Sequence, residues 1–206
     1  LIAGRVHRLL QIFVHGLAAL DYHIVNPAFF DTVTLAVPNR ARHFAARARE
    51  AGINLRVVDA DHVGIAFDET INRAAVRGLW RVFSRDDGDE LDFKVIDAAL
   101  EECIPPALRR DSAILTHPVF ERYHSETEMM RYMRRLARRD IALDRAMIPL
   151  GSCTMKLNAA VEMQALSYRE FADLHPFVPL DQAQGYQRLF EELNAMLVDL
   201  TGFAAF

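Results

Sequence analysis

Val6, Leu9, Leu10, Phe13, Val14, Leu17 and Leu20 recur at helical spacing, so the first twenty residues predict a strongly amphipathic helix. Two short stretches, 22–25 and 32–37, are rich in β-branched and aromatic residues and predict extended chain. Pro38-Asn39 then supplies a stop and an expected N-cap for a helix ending near Gly52. Residues 54–59 and 63–67 predict two strands joined by a polar turn at Ala60-Asp61-His62. Thr70 is the expected cap of a helix carrying Ile71, Ala74, Ala75, Leu79 and Phe83. Helices interleaved with strands over about ninety residues predict a small α/β layer of ordinary domain size.

The pattern changes at Arg85-Asp86-Asp87-Gly88-Asp89-Glu90, a hydrophilic break where a boundary is expected. A short helix over 93–103 should end at Pro105-Pro106, because proline lacks the amide donor and its ring blocks continuation. Ser125 and Glu128 have the spacing of a capping box for a helix with Met129, Met133, Leu136 and Ala137 inward. Arg131, Arg134, Arg135, Arg138 and Arg139 cover its other side, either as a solvated face or as a site for an anion or partner. Residues 141–158 hold no steady period and carry Pro149 and Gly151, which predicts an extended arm or loop. Asp181 and Gln184 are the expected caps of a last helix burying Tyr186, Leu189, Phe190, Leu193, Met196, Leu197 and Leu200 and stopping at Gly202.

Composition narrows the function classes. Of 206 residues, 51% are hydrophobic and 25% charged, which excludes disorder, collagen and disulfide scaffolds. A net charge of -4 leaves no global positive field for a phosphate backbone, so no nucleic acid is expected as partner. Two cysteines, Cys103 and Cys153, make no disulfide framework and point to a reducing compartment. No apolar run reaches the roughly 18 residues of a spanning helix, so no membrane is expected either. Residues 157–206 hold seven acids against two arginines, a clear shift from the nearly neutral chain before them. Leu1-Ile2-Ala3-Gly4 at one end and Phe206 at the other are read as cut from something longer.

Lysine is scarce: of 24 basic residues only Lys94 and Lys156 can offer an amine. Lys156 lies in the densest polar cluster, Pro149-Leu150-Gly151-Ser152-Cys153-Thr154-Met155-Lys156-Leu157-Asn158. Five hydrogen-bonding or nucleophilic heads within seven residues suit the rim of an anion or cofactor site; an ordinary turn with a helix cap is the other reading. It is not a Walker loop, because the second glycine and the Gly-Lys-Ser/Thr ending are missing. A second cluster, Leu174-His175-Pro176-Phe177-Val178-Pro179-Leu180-Asp181-Gln182-Ala183-Gln184-Gly185-Tyr186, presents His175, Gln182 and Gln184 from a proline-stiffened loop, or leaves His175 as a cap or local packing group. Cys153 lacks the neighbours of a thiol protease, and the histidines, among them His117 and His124, show no metal-ligand spacing.

Several of these words are shared with a known family. Thr116-His117-Pro118-Val119-Phe120, His124-Ser125-Glu126-Thr127-Glu128-Met129, the stretch Met147-Ile148 into the polar cluster, and Leu174-His175-Pro176-Phe177 with Gln182-Ala183-Gln184-Gly185-Tyr186 closely resemble the glycine dehydrogenase (decarboxylating) family, the P-protein of the glycine cleavage system. The likeness is specific over residues 110–206 and looser over 1–105, where residues 26–34 and the preceding helix carry it.

The resemblance implies a pyridoxal-phosphate-dependent enzyme of the aspartate-aminotransferase-like fold (fold type I), built from two related halves. Residues 1–90 would be the small C-terminal α/β subdomain of the first half, 91–145 a helical connector, and 146–206 the arm and first helix of the second half. The implied reaction is decarboxylation of glycine and transfer of its aminomethyl group to the lipoyl group of the H-protein. Lys156 is not the implied Schiff-base lysine, which the family carries in a glycine-rich motif absent here, so no catalytic residue is assigned and pyridoxal phosphate is not expected to bind this chain covalently. Ser152, Cys153, Thr154, Lys156, Asn158 and His175 are the residues expected to line the cofactor or lipoyl-arm cavity. Implied partners are the lipoylated H-protein, glycine, and the other half or subunit of the same enzyme in an oligomer; the implied compartment is the cytoplasm, or the mitochondrial matrix in a eukaryote. Alone the chain is expected to be inactive. The alternative is a non-catalytic scaffold that pairs enzyme halves or docks another subunit, and a minor one is another fold-type-I pyridoxal enzyme.

Overall fold

The structure is a computed structural model that describes residues 1–85, 91–101, 104–139 and 159–206. They form two compact units, Leu1–Asp111 and Ser112–Phe206.

The first unit opens with α1, Ile2–Ala19, whose predicted apolar stripe is its packed face: Val6, Leu9, Leu10, Phe13 and Leu17 are all buried. Strand β1, Thr32–Ala36, α2, Ala41–Glu50, β2, Arg56–Val57, and β3, His62–Ala66, follow, then α3, Arg73–Phe83, and α4, Phe93–Ala99. The sheet is antiparallel in the order β1-β3-β2, so a small α/β architecture is observed. Its register sets Val33 opposite Ile65 and Leu35 opposite Val63, and all four side chains are buried on one face. Period-two alternation thus fixes which face the helices cover. Residues 22–25 form no strand but one isolated bridge, Ile24 to Leu35, with Val25 N–H donating to the Thr34 carbonyl at 2.8 Å.

Side-chain oxygens set two helix starts, at positions the local pattern did not single out. Asn72, not Thr70, caps α3: its Oδ1 accepts from the Ala75 N–H at 3.0 Å. Thr70 instead bonds back to Asp68, closing the turn before the cap. Asp92 caps α4 and accepts from Lys94 N–H at 2.8 Å. Asn39 is not the cap of α2 either, because it takes a φ of 55° and donates its N–H to Asp61 Oδ1, leaving Arg40 at the N-cap without a side-chain bond. Gly52, at φ 75°, ends that helix where expected. The 93–103 helix is shorter than predicted, since Leu100 turns extended at ψ 128°.

Aromatic rings fill the centre. Phe13, Phe44 and Phe83 are fully buried, with Phe44 and Phe83 centroids 5.0 Å apart and Phe13 tilted against Phe67 at 5.5 Å. A close approach joins α1 to α3. Trp80 donates its indole N–H to the Phe13 carbonyl at 3.0 Å, and its ring occupies the space a Cβ on Gly16 would need. Phe93 of α4 packs on the same indole at 6.1 Å, and Arg8 of α1 bonds Asp97 at 2.8 Å and the Leu100 carbonyl at 3.1 Å. These contacts carry the unit past the hydrophilic break, of which residues 86–90 lie outside the described residues.

The second unit contains α5, Val119–Arg122, α6, Glu126–Ala137, α7, Ala160–Ala165, α8, Arg169–Ala172, and α9, Gln184–Thr201. Ser125 caps α6 as predicted, accepting from Glu128 N–H at 3.2 Å, but Glu128 returns to the Ser125 hydroxyl and not to its amide. Asp181 does not cap α9: it sits in the short helical turn Leu180–Gln182, and Ala183 is the N-cap. Gly202 ends α9 at φ 73°, as expected.

The inward positions predicted for these helices are not buried. Met129, Met133 and Leu136 on α6, and Leu189, Phe190, Leu193, Met196 and Leu200 on α9, are all exposed. The stripes are real, but the described unit offers no second layer to lie on them.

Replacing Gly16 by alanine places a Cβ 2.2 Å from the Trp80 indole nitrogen, so the ring must leave its seat. Gly16→Ala should lower stability by about 1–3 kcal/mol. Urea unfolding followed by fluorescence of the single tryptophan should show a lower midpoint and an altered native emission; an unchanged midpoint would contradict this packing.

Candidate functional site

Ser152, Cys153, Thr154, Lys156 and Asn158, five of the six residues expected to line a cavity, lie outside the described residues. His175 is described. It is exposed in the loop between α8 and the Leu180–Gln182 turn, and the loop folds on itself. Phe177 N–H donates to His175 Nδ1 at 3.0 Å, Val178 N–H donates to the His175 carbonyl at 2.9 Å, and the His175 and Phe177 rings lie 5.8 Å apart. An accepting Nδ1 belongs to the neutral ring with its proton on Nε2, which leaves that N–H as the donor His175 can offer a ligand.

The loop is tied down around it. Tyr186 of α9 donates its hydroxyl to the Phe171 carbonyl at 3.1 Å and packs edge-on against the Phe171 ring at 5.3 Å. Pro176 and Pro179 flank the segment, so His175 has the stiff mount anticipated for it, with a local capping role at the same time. Gln182 and Gln184 are exposed, in the helical turn and at the first position of α9.

Each unit has a cleft lined by described residues outside that loop. In the first unit, a cleft of about 640 Å³ is lined by Arg5, Arg8, Arg73, Asn72, Phe93 and Asp97, among others. Its cations are engaged: Arg5 donates to the Glu69 and Ile71 carbonyls at 3.2 and 3.0 Å, Arg8 to Asp97, and Arg73 lies 5.3 Å over the Phe93 ring. In the second unit, a cleft of about 390 Å³ is lined by His117, Arg122, Tyr123, Tyr132, Arg135 and Arg139 together with Pro118, Val119 and Leu136. Sequence reasoning flagged the arginine run but missed this grouping, because Tyr123 and Tyr132 meet only once α6 turns back beside the loop before it.

Other polar groups are satisfied structurally. His7 is buried, with Nδ1 2.7 Å from the Phe30 carbonyl and its ring stacked on Phe30 at 4.9 Å. His62 sits 2.9 Å from both Asp59 oxygens, and this bond holds the Asp59 carboxyl below the usual carboxylate range. Asp68 is also held low, first by the Thr70 hydroxyl and then by the backbone amides of the turn. No group of three or more His, Cys, Asp or Glu among the described residues could hold a metal ion. Lys94, the one described lysine, is exposed in the first turn of α4. No helix among the described residues is long and apolar enough to cross a membrane.

Known proteins bear on these residues. Residues 1–83 match the family described as the glycine cleavage system P-protein. Over 204 residues, 99% of the chain, it is 50% identical to the "Glycine dehydrogenase (decarboxylating)" of Cupriavidus metallidurans, and over the same length 52% identical to that of Sodalis glossinidius. In each case the aligned part is 21% of the relative, so the chain spans about a fifth of the length of these curated relatives. The resemblance carried by the sequence words is borne out, and it extends over the first 105 residues where those words were looser.

The Asp68 turn leads into the Asn72 cap on the wall of the larger cleft, and it yields a pH test. A carboxyl whose folded value is depressed stabilises the fold above its unfolded value, about pH 4, and that contribution is lost as pH falls through the folded value. Thr70→Val should therefore be less stable than the parent at pH 7, and the difference should shrink as pH falls below about 4. Thermal unfolding at several pH values checks this; a difference constant down to pH 2 would contradict it.

Proposed function

We propose that this chain, whose residues 1–83 match the family described as the glycine cleavage system P-protein, works as part of a longer protein that decarboxylates glycine and passes the aminomethyl group to the lipoyl group of the H-protein. One observation carries this reading: half of the residues are identical across almost the whole chain to two glycine dehydrogenases (decarboxylating). The words that drew the resemblance are long, ordered and rich in reactive side chains, unlike the scattered apolar matches that a shared core alone would give.

Within that reading the first unit's antiparallel α/β layer serves as the small C-terminal subdomain of the first half of an aspartate-aminotransferase-like enzyme. Residues 91–145 connect the halves, and 146–206 open the second half. Ser152, Cys153, Thr154, Lys156, Asn158 and His175 line the wall of the working cavity. Pyridoxal phosphate, when bound elsewhere on the longer polypeptide, supplies the electron sink for loss of CO2. This chain's own residues bind and orient: His175, through its free Nε2–H, donates a hydrogen bond to an anionic or carbonyl oxygen, and the Lys156 ammonium pairs with a phosphate, a carboxylate or a partner chain. A proline-stiffened loop holds such a donor at low entropic cost.

The apolar stripes of α6 and α9 support the same assignment, because a stripe of this length is covered in a stable protein, and the remaining four fifths of the polypeptide or its partner half supplies the cover. A compartment with reduced thiols, the cytoplasm or the mitochondrial matrix of a eukaryote, suits two cysteines without a disulfide framework. The exposed stripes also favour the second reading, a non-catalytic module that pairs enzyme halves.

The assignment of Lys156 is tested in the full-length protein. Lys156→Ala should lower glycine turnover by at least about tenfold, equivalent to about 1.4 kcal/mol of barrier, with the protein still folded and assembled. Near-normal turnover would overturn the assignment of Lys156 to the cavity wall.

A further inference from the structure

The cleft of the second unit gathers cations and phenols, with no acid among its described lining residues. Tyr123 and Tyr132 stack at 4.2 Å with their planes 12° apart. The Arg135 guanidinium lies 5.3 and 5.2 Å from the two ring centres and donates to the Tyr123 hydroxyl. Among the described residues Arg135 is therefore held by neutral partners, with no carboxylate on its guanidinium. Arg122 and Arg139, which also line the cleft, have no carboxylate partner among the described residues. His117 accepts from the Val119 N–H on Nδ1 at 3.1 Å, so its neutral ring carries a donor N–H on Nε2.

Three guanidiniums around a space of about 390 Å³ repel one another, and a structure that sets them there gains most when an anion enters. Guanidinium forks pair bidentately with carboxylate and phosphate oxygens, and the space falls in the range of small-molecule sites. We propose that this cleft binds the oxyanion end of a small molecule, with Arg135, fixed on the tyrosine stack, as its anchor and Arg122 and Arg139 as its flanking clamps. The tyrosine stack provides a flat apolar wall for the rest of the ligand. The site does not depend on the glycine reading above, which would survive its loss.

Calorimetric titration of the 206-residue chain at low ionic strength with inorganic phosphate, and separately with malonate, tests the proposal. Saturable one-to-one binding of either anion is expected, accompanied by a tyrosine near-ultraviolet change with the same midpoint. Tighter phosphate binding would assign a phosphate-bearing ligand, and tighter malonate binding a carboxylate-bearing one. Arg135→Gln and Arg139→Gln should each weaken binding by about tenfold, the cost of a charge-assisted bond. Arg131→Gln, on the same helix but outside the cleft, should leave binding within about twofold if the effect is local and not general screening. Should Arg135→Gln unwind α6 by far-ultraviolet circular dichroism, Arg139→Gln and Arg122→Gln decide the matter. Absence of saturable binding by both anions, or a loss in Arg131→Gln equal to that in Arg139→Gln, would overturn the site.

Discussion

The first unit depends on a missing side chain. At Gly16 helix α1 presents bare backbone, and the Trp80 indole of α3 fills the gap closely enough to donate to the Phe13 carbonyl. This seat brings α1 and α3 together, so Phe13 reaches both Phe67 and Phe83 while Phe83 meets Phe44 and Tyr22. The three-stranded sheet then closes that aromatic centre with Val33, Leu35, Val63 and Ile65. Large rings dominate the energetics of a small core, and their placement follows from one close helix approach.

Sequence periodicity made much of this unit legible, because its signals are local. The α1 stripe, the alternation in 32–37 and 63–67, and the glycine stop at Gly52 all express chain geometry within a few residues. Caps were harder to place. Thr70 and Asn39 carry suitable side chains, but each is engaged by an aspartate instead: the Thr70 hydroxyl donates to Asp68, and the Asn39 backbone N–H donates to Asp61 in the β2–β3 turn. A hydrogen bond from 22 residues away leaves no mark in the local pattern. Residues 22–25 fail as a strand for a related reason, since the one bridge to Leu35 adds them to β1 without a full ladder.

The second unit separates element from environment. Amphipathic stripes on α6 and α9 predicted helices correctly but burial incorrectly, because a stripe declares only that a face needs a partner. Candidate chemistry was legible through shared words and not through spacing. His175 does sit on a stiff loop, and its Nδ1 is used locally, as a bland reading of the residue required, while Nε2 stays open. The tyrosine–arginine cleft escaped notice because its parts come from two elements separated by the turn at His124. The chain matches about a fifth of the length of two longer relatives, and the two stripes lie exposed among the described residues.

Hydrogen exchange read peptide by peptide tests most directly the claim that the two units differ in self-sufficiency. In the 206-residue chain, α1 and α3 amides should be protected to the level of global unfolding, while α6 and α9 exchange through local opening; in the full-length protein all four should be protected. Equal protection of α6, α9, α1 and α3 in the 206-residue chain would contradict the account.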